Sequence, residues 1–370
     1  MIRPTLATLF ATIPTLSMAD VPRVVTDIAP VHSLVAQVMG DLGKPELLLP
    51  ANVSPHSFAL RPSQAAALEQ AGAVFWMGEA LTPPLEPMLK KLASTAANVA
   101  FLDLAQTQTH EFRDHDAAIE DAHDGHDHDE EHKHDAEHDH GEHEHEAEHK
   151  HDAKHDHGEH EHKEEHKHDA EHDHGEHEHE EEHKHDAEHD HGEHEGHAHD
   201  HEGTDPHAWL NPDNALAWLP VIVAELSALD PENAATYTAN AEAAQAELEA
   251  TINDITEILT PVKGKAFVVF HDAYRYFEDR FDVGSKASIS ISDASAPGPA
   301  RVERIQTLVR DLNVSCAFSE PQFSAGLVDT VLEGTDANAA ILDPMGVNQT
   351  AGPDLYNNVL RDMAQAIADC

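Results

Sequence analysis

Residues 114–202 constrain this chain more than any other feature, because they offer almost no apolar side chain to a core. The stretch "HKHDAEHDHGEHEH" (132–145) recurs in near-copies opened by His132, His149, His166 and His183, seventeen residues apart. So regular a period suggests a stacked solenoid, but no copy has an apolar face to bury against the next, so stacking would gain nothing. The tract is expected to be disordered when metal-free and to sit as an insertion in a surface loop, where extra length costs little free energy. Its imidazoles and carboxylates are the ligand types that zinc accepts. His132, His134, His138, His140, His149, His151, His166, His168, His183 and His185 are therefore expected to collect metal weakly, since each binding event must order a flexible chain.

The formal charge of -49 is mostly the tract's own; roughly two-thirds of it falls there and on its flanks. The rest of the chain is mildly acidic and has no basic surface to neutralise phosphates, so nucleic acid is not an expected partner. At the start, "MIRPTLATLFATIPTLSMAD" places Arg3 before an apolar run and small residues before Asp20. It reads as a secretory leader over 1–19, cleaved after Ala19. No later run reaches the ~20 apolar residues of a membrane span, and no cysteine near the cleavage point could carry a lipid. A soluble, exported, monomeric protein is the expectation. An exported chain meets an oxidising compartment, so Cys316 and Cys370 are most simply read as one disulfide, with two free thiols as the alternative. Such a bridge would be worth about 4 kcal/mol in the chain-entropy model.

Without the leader and the tract, about 260 residues remain, enough for two compact domains. Short apolar runs at "RVVTD" (23–27), "ELLLP" (46–50), "AVFWM" (73–77) and "NVAFLD" (98–103) read as buried strands, alternating with helical patterns such as "VHSLVAQVMGD" and "RPSQAAALEQAG". The alternation resumes after the tract with "AFVVFH", "DVGSKASI", "CAFSE" and "AAILD" as strands, and "ARVERIQTLVRDL" and the final segment as helices. Between the halves, the interval from Pro231 to Pro261 reads as one helix, about 40 Å long. The fold class is α/β, with two Rossmann-like lobes of mainly parallel sheet joined by one long helix. The expected divisions are a first lobe from 20–113 and 203–230, the linking helix 231–260, and a second lobe 261–370.

Outside the region that begins at His110, only His32, His56, His207 and His271 occur. His56 follows a strand in "SPHSFALRPSQ", His207 lies in the turn "DPHAWLNP", and His271 closes "AFVVFH". Strand ends and their loops are where open α/β sheets bind ligands. Any one such histidine is more often a structural residue, but three drawn from both lobes point to a shared site. His32, in "APVHSL", is read as a helix-terminal histidine near the crevice rather than as a ligand.

With these motifs in view, and "FHDAYRYFE", "AFSEPQF" and "LDPMG" following in order, the chain closely resembles the solute-binding subunits of zinc-importing ABC transporters, the ZnuA family. The resemblance covers essentially the whole mature chain. It implies that His56, His207 and His271 bind the metal and that Asp343 of "LDPMG", a fourth ligand in manganese-binding and some other siblings, stands near it as a possible fourth ligand. Some members carry Glu immediately before the first ligand histidine; here that residue is Pro55. The family also shares the His-rich loop and a disulfide near the C-terminus.

Three imidazoles with at most one oxygen suit tetrahedral zinc, whereas manganese favours more carboxylate. Glu320 of "SEPQF" is expected to accept a hydrogen bond from a ligand imidazole, and Trp209 to pack at the lobe interface. The implied function is capture of zinc in the periplasm and delivery to a membrane permease. Three rivals are a periplasmic zinc buffer in which the tract does the main work, a carrier of manganese or another divalent ion, and a zinc hydrolase. The last would need a general base that the sequence does not supply.

Overall fold

The structure, a computed structural model, describes residues 21–56, 59–113, 203–290 and 297–370. The leader, the tract and its ten named histidines lie outside the described residues.

The first sheet is built from β1 (Val24–Thr26), β2 (Glu46–Leu47), β3 (Ala73–Trp76) and β4 (Ala97–Ala100), all parallel in the order β2-β1-β3-β4. β1 and β3 are buried along their whole length, as central strands of a parallel sheet covered on both faces should be. The crossovers are α1 (Ala29–Met39), α2 (Pro62–Glu69) and α3 (Leu85–Leu92). The second sheet repeats the plan with β5 (Phe267–Val269), β6 (Ser285–Ser288), β7 (Cys316–Ser319) and β8 (Asn338–Ile341), parallel in the order β6-β5-β7-β8.

Two helices join the sheets. α4 (Pro212–Leu229) starts cleanly because the Asn211 side chain accepts from the Asp213 N–H and Pro212 occupies the first turn. α5 (Ala234–Leu259) follows a single tight turn, Pro231–Asn233, so regular helix begins later than Pro231 alone suggests. Tyr237, Ala241, Ala244, Leu248, Ile252, Ile255 and Leu259 are buried along α5, a stripe at spacings of three and four that lays one face on the protein.

Three helices complete the second half: α6 (Arg275–Phe281), α7 (Pro299–Asp311) and α8 (Gly326–Leu332). The final helix, α9 (Leu355–Asp369), returns to pack on α1 and α5. Ser33 fastens it there, its hydroxyl donating to the Pro353 carbonyl at 2.8 Å and accepting from the Tyr356 N–H at 3.0 Å. One apolar core consequently runs from the first sheet through α5 and α9 to residues Phe267, Phe318 and Leu342 of the second half. A smaller core, with Val268, Ile289, Ile305 and Val331, serves the other face of the second sheet under α7 and α8. Cys316 in β7 and Cys370 after α9 are joined by a disulfide. No helix among the described residues is long and apolar enough to cross a membrane.

Candidate metal centre

Each of the three histidines stands on a different support. His56 lies in the loop beyond β2, its N–H donating to the Ser54 hydroxyl at 3.3 Å, and that loop is held across the crevice by Gln322, whose amide donates to the Ala51 carbonyl at 2.9 Å. His207 opens the tight turn Ala208–Leu210. Its Nδ1 lies 2.7 Å from Asp205 Oδ1, and its own backbone N–H donates to the same oxygen at 3.0 Å. His271 follows β5, with Nδ1 2.6 Å from Oε1 of Glu320, the residue that follows β7.

A carboxylate only accepts, so these contacts assign the hydrogen to Nδ1 in both rings and leave Nε2 as a lone-pair donor. The two Nε2 atoms face each other at 3.4 Å. Two nitrogens bound to one tetrahedral zinc at about 2.0–2.1 Å lie roughly 3.3 Å apart, so the pair has the spacing of a zinc chelate. His56 completes the group: the three histidines each offer a ring nitrogen within 4.8 Å of the others. Among the described residues no carboxylate joins them.

The rings wall a cavity of about 20 Å3 with Pro55, Trp209, Phe323 and Met345, room for roughly one water-sized sphere. Trp209 is buried and its indole N–H donates to the Pro344 carbonyl at 3.0 Å. It thus ties the turn bearing His207 to the loop after β8. Tyr274 adds a further layer behind His271: burial first, and then the neighbouring Glu320 carboxylate, push its phenol well above the usual range. It therefore stays a neutral donor, placed 3.3 Å from the Leu342 carbonyl.

Asp343 is engaged by its own turn. Its Oδ1 accepts the N–H groups of Met345 and Gly346 at 3.1 and 2.9 Å, and its Oδ2 that of Val347 at 2.6 Å. The carboxylate closes the turn of "LDPMG" on itself and is not in the histidine group. Gly346 is needed in that turn, since its φ is +76° and a Cβ there would lie 2.7 Å from Val359 Cγ2. His32 is also apart from the group. Its Nε2 is 3.1 Å from the Pro45 carbonyl and burial lowers its pKa, so it remains a neutral ring on the buried face of α1. Sequence reasoning overlooked Asp205, although the spacing in "DPH" puts a carboxylate two residues before the histidine it orients.

Two α/β lobes and a set of three histidines converging on one cavity define a two-lobed α/β protein with a candidate metal-binding crevice. Comparison with known proteins narrows this. Residues 24–370 match the family model described as ZnuA, the periplasmic component A of a zinc-uptake complex, and the chain belongs to that family. It is 44% identical over 374 aligned residues to the high-affinity zinc uptake system protein ZnuA of Paracoccus denitrificans (strain Pd 1222), covering 100% of this chain and 99% of that one. The corresponding protein of Brucella abortus (strain 2308) is 39% identical over 94% of this chain and 91% of its own length. In three dimensions a ZnuA crystal structure superposes with a TM-score of 0.64 at 20% identity, covering 95% of this chain and 99% of the other. A zinc-bound ZnuA lacking its residues 138–173 gives 0.64 at 20% identity over 94% and 97%. At that identity the two superpositions speak for the fold.

Proposed function

We propose that this protein binds one Zn2+ through Nε2 of His207, Nε2 of His271 and a ring nitrogen of His56, and delivers it to the membrane permease of an ABC importer. The observation that carries the reading is the pair of carboxylate-oriented Nε2 atoms 3.4 Å apart. Two ring nitrogens facing each other at that distance need a proton or a metal cation between them, and three nitrogens suit zinc better than manganese. With no protein carboxylate in the set, the fourth position is left to water. A cargo site benefits from such an open position, because an incoming ligand can attach before the others let go.

The relatives' printed function, uptake of zinc at high affinity, supports the cargo. The leader-like sequence over 1–19 and the Cys316–Cys370 disulfide support a periplasmic location, where disulfides persist. The tract is read as an accessory: a tethered collector raises the local zinc concentration without adding to the affinity of the crevice.

Zinc titration against a competing chelator tests both parts. The mature protein should show one tight site and several weak ones, and replacing residues 114–202 by a short glycine–serine linker should remove only the weak ones. Loss of the tight site on that replacement would make the tract the principal binder and the protein a buffer. Unperturbed imidazole titrates near 6.5, so the weak sites should empty as pH falls through about 6 to 7.

A further inference from the structure

The two chain ends that flank the tract are joined to the supports of the metal site. Glu111 and Thr204 form an antiparallel bridge, flanked by the Phe112 N–H donating to the Gly203 carbonyl at 3.2 Å and the Asp205 N–H donating to the His110 carbonyl at 2.8 Å. One side of this stem therefore carries Asp205, which holds His207. The Tyr276 hydroxyl of α6 accepts from the His110 N–H at 2.9 Å and donates to the Asp205 carbonyl at 2.7 Å. The other side ends in Arg113. Its guanidinium grips both oxygens of Asp272, the residue after His271, and donates to Glu278 Oε2 at 2.6 Å. Glu278 Oε1 in turn accepts the Ser285 N–H of β6 at 3.2 Å.

We propose that Arg113 is a positioning residue for zinc: by clamping Asp272 it fixes the backbone that carries His271, at a set distance from the His207 that the same stem supports. The inference rests on the histidine site proposed above. Asp272 and Glu278 are both buried, with side chains 9% and 1% exposed. Two carboxylates withdrawn from water on neighbouring turns repel each other unless a cation lies between them. Arg113 is that cation, and its planar fork fixes direction as well as charge. Burial opposes its charge, but hydrogen bonding to Asp272 and the fields of both carboxylates outweigh it and raise the guanidinium above its ordinary value. The root of the tract is thus a structural part of the crevice site, separate from the metal-collecting residues beyond it.

The sign of the effect separates positioning from simple electrostatics. Removing a nearby positive charge should tighten the binding of a cation, whereas removing a clamp should weaken it. In the full mature chain, Arg113→Met is expected to weaken the tight zinc site about tenfold or more, the scale of losing an outer-shell support, while Arg113→Lys recovers part of the loss. Should Arg113→Met fold poorly because it leaves two buried acids without this cation, Arg113→Met/Asp272→Asn removes one charge of each sign, leaves the net charge unchanged and still lacks the clamp, and should still bind zinc weakly. In the metal-free protein, the downfield proton resonance of His271 Nδ1–H should shift or broaden in both. A folded double variant with wild-type affinity, or tighter binding by Arg113→Met, overturns the proposal. His271→Ala, measured alongside, distinguishes the failures. If it leaves tight binding intact, the histidine site and this inference both fall; if it abolishes tight binding while the Arg113 variants do not weaken it, the inference alone falls.

Discussion

Asp27 directly follows β1 of the first sheet and His271 lies two residues beyond β5 of the second; the two sheets share one strand order, so both stand at the same end of equivalent strands, one residue out of step. Each side chain reaches sideways to the end of the neighbouring strand. Asp27 Oδ2 accepts from the Met77 N–H after β3 at 2.8 Å, and its Oδ1 from the Ile28 N–H at 2.7 Å. His271 Nδ1 meets Glu320 after β7 at 2.6 Å. The first lobe spends its strand-end carboxyl on knitting backbone together, and its contribution to the proposed metal site is a loop residue, His56. The second turns the same contact around: the carboxylate sits on the neighbouring strand and the ring, oriented by it, presents Nε2 to the crevice. An α/β sheet thus provides the address for a ligand, and the residue at that address decides whether it serves stability or chemistry.

The comparison breaks first if the two strand ends prove interchangeable. Dividing the ~10–16 kcal/mol of a four-ligand zinc site among its ligands gives roughly 2.5–4 kcal/mol each, so His271→Ala should weaken the tight site by about 10^2–10^3-fold with little change in unfolding. Asp27→Ala should do the reverse. It strands two buried N–H groups at about 1–3 kcal/mol each and should lower stability to urea while the folded fraction keeps its zinc affinity. Chelator competition and urea unfolding of both variants decide it; a stable His271→Ala protein with unchanged affinity would remove the distinction.

A second difference concerns protons. Burial pushes the Asp27 carboxyl up to about 7, against the partial opposition of its backbone donors. The unfolded chain releases this proton near pH 4 and the folded chain near 7, so between those values the folded state holds more protons and stability falls as pH rises. Below pH 4 the contribution is complete, and above 7 it is gone. In metal-free protein, the stability of wild type minus that of Asp27→Asn should therefore decline by a few kcal/mol between pH 4 and 7. Urea unfolding at four pH values measures it. A constant difference would show that Met77 and Ile28 hold the carboxylate ionised throughout.

Most of this architecture is legible from sequence because parallel strands buried on both faces read as unbroken apolar runs. All eight runs contain or overlap strands, although β2 is only Glu46–Leu47. The helices that escape are the short ones, Leu85–Leu92, Arg275–Phe281 and Gly326–Leu332, whose two turns or so give too few residues for a period to stand out. At the site, His56 and His271 are legible from their places beyond β2 and β5, and His207 from the turn "DPHAWLNP" that opens a helix. Glu320 is legible from its place after β7. Asp205 carries a local signal, two residues before His207 in "DPH", whereas Arg113 is not legible, because its role depends on contacts with Asp272 and Glu278, 159 and 165 residues away. The return of α9 to α1 is equally long-range: its anchor, Ser33 to Pro353, joins opposite ends of the described chain.

The carboxylates behind the rings give the next smaller effect. Glu320→Gln and Asp205→Asn keep shape but weaken the hold on the tautomer, and each should lower zinc affinity about 10–100-fold. If His207 and His271 are equivalent partners in one chelate, the two substitutions should cost similar amounts, and the double variant should cost less than the product of the singles, because once one ring is loose the other cannot hold the 3.4 Å spacing alone. Fully multiplicative losses would mean that the two rings act independently.

The smallest effect belongs to Asp343, the residue that the family resemblance places near the metal. Its oxygens already accept three backbone N–H groups, a short acid closing a turn at a strand end in the manner common to aspartate. Asn in its place keeps one acceptor and turns an N–H2 toward the donors served by the other oxygen. Asp343→Asn should therefore lower stability by about 1–2 kcal/mol while changing zinc affinity less than about threefold, far below the loss that an outer-shell partner causes. Thermal unfolding of the metal-free protein and chelator competition, run on the same preparation, separate the two quantities. A loss of affinity as large as that of His271→Ala would mean that the turn opens when metal enters and lends Asp343 as a fourth ligand. A site with that added carboxylate would also bind manganese better than three imidazoles do, so the same variant titrated with Mn2+ gives a second reading of the same question.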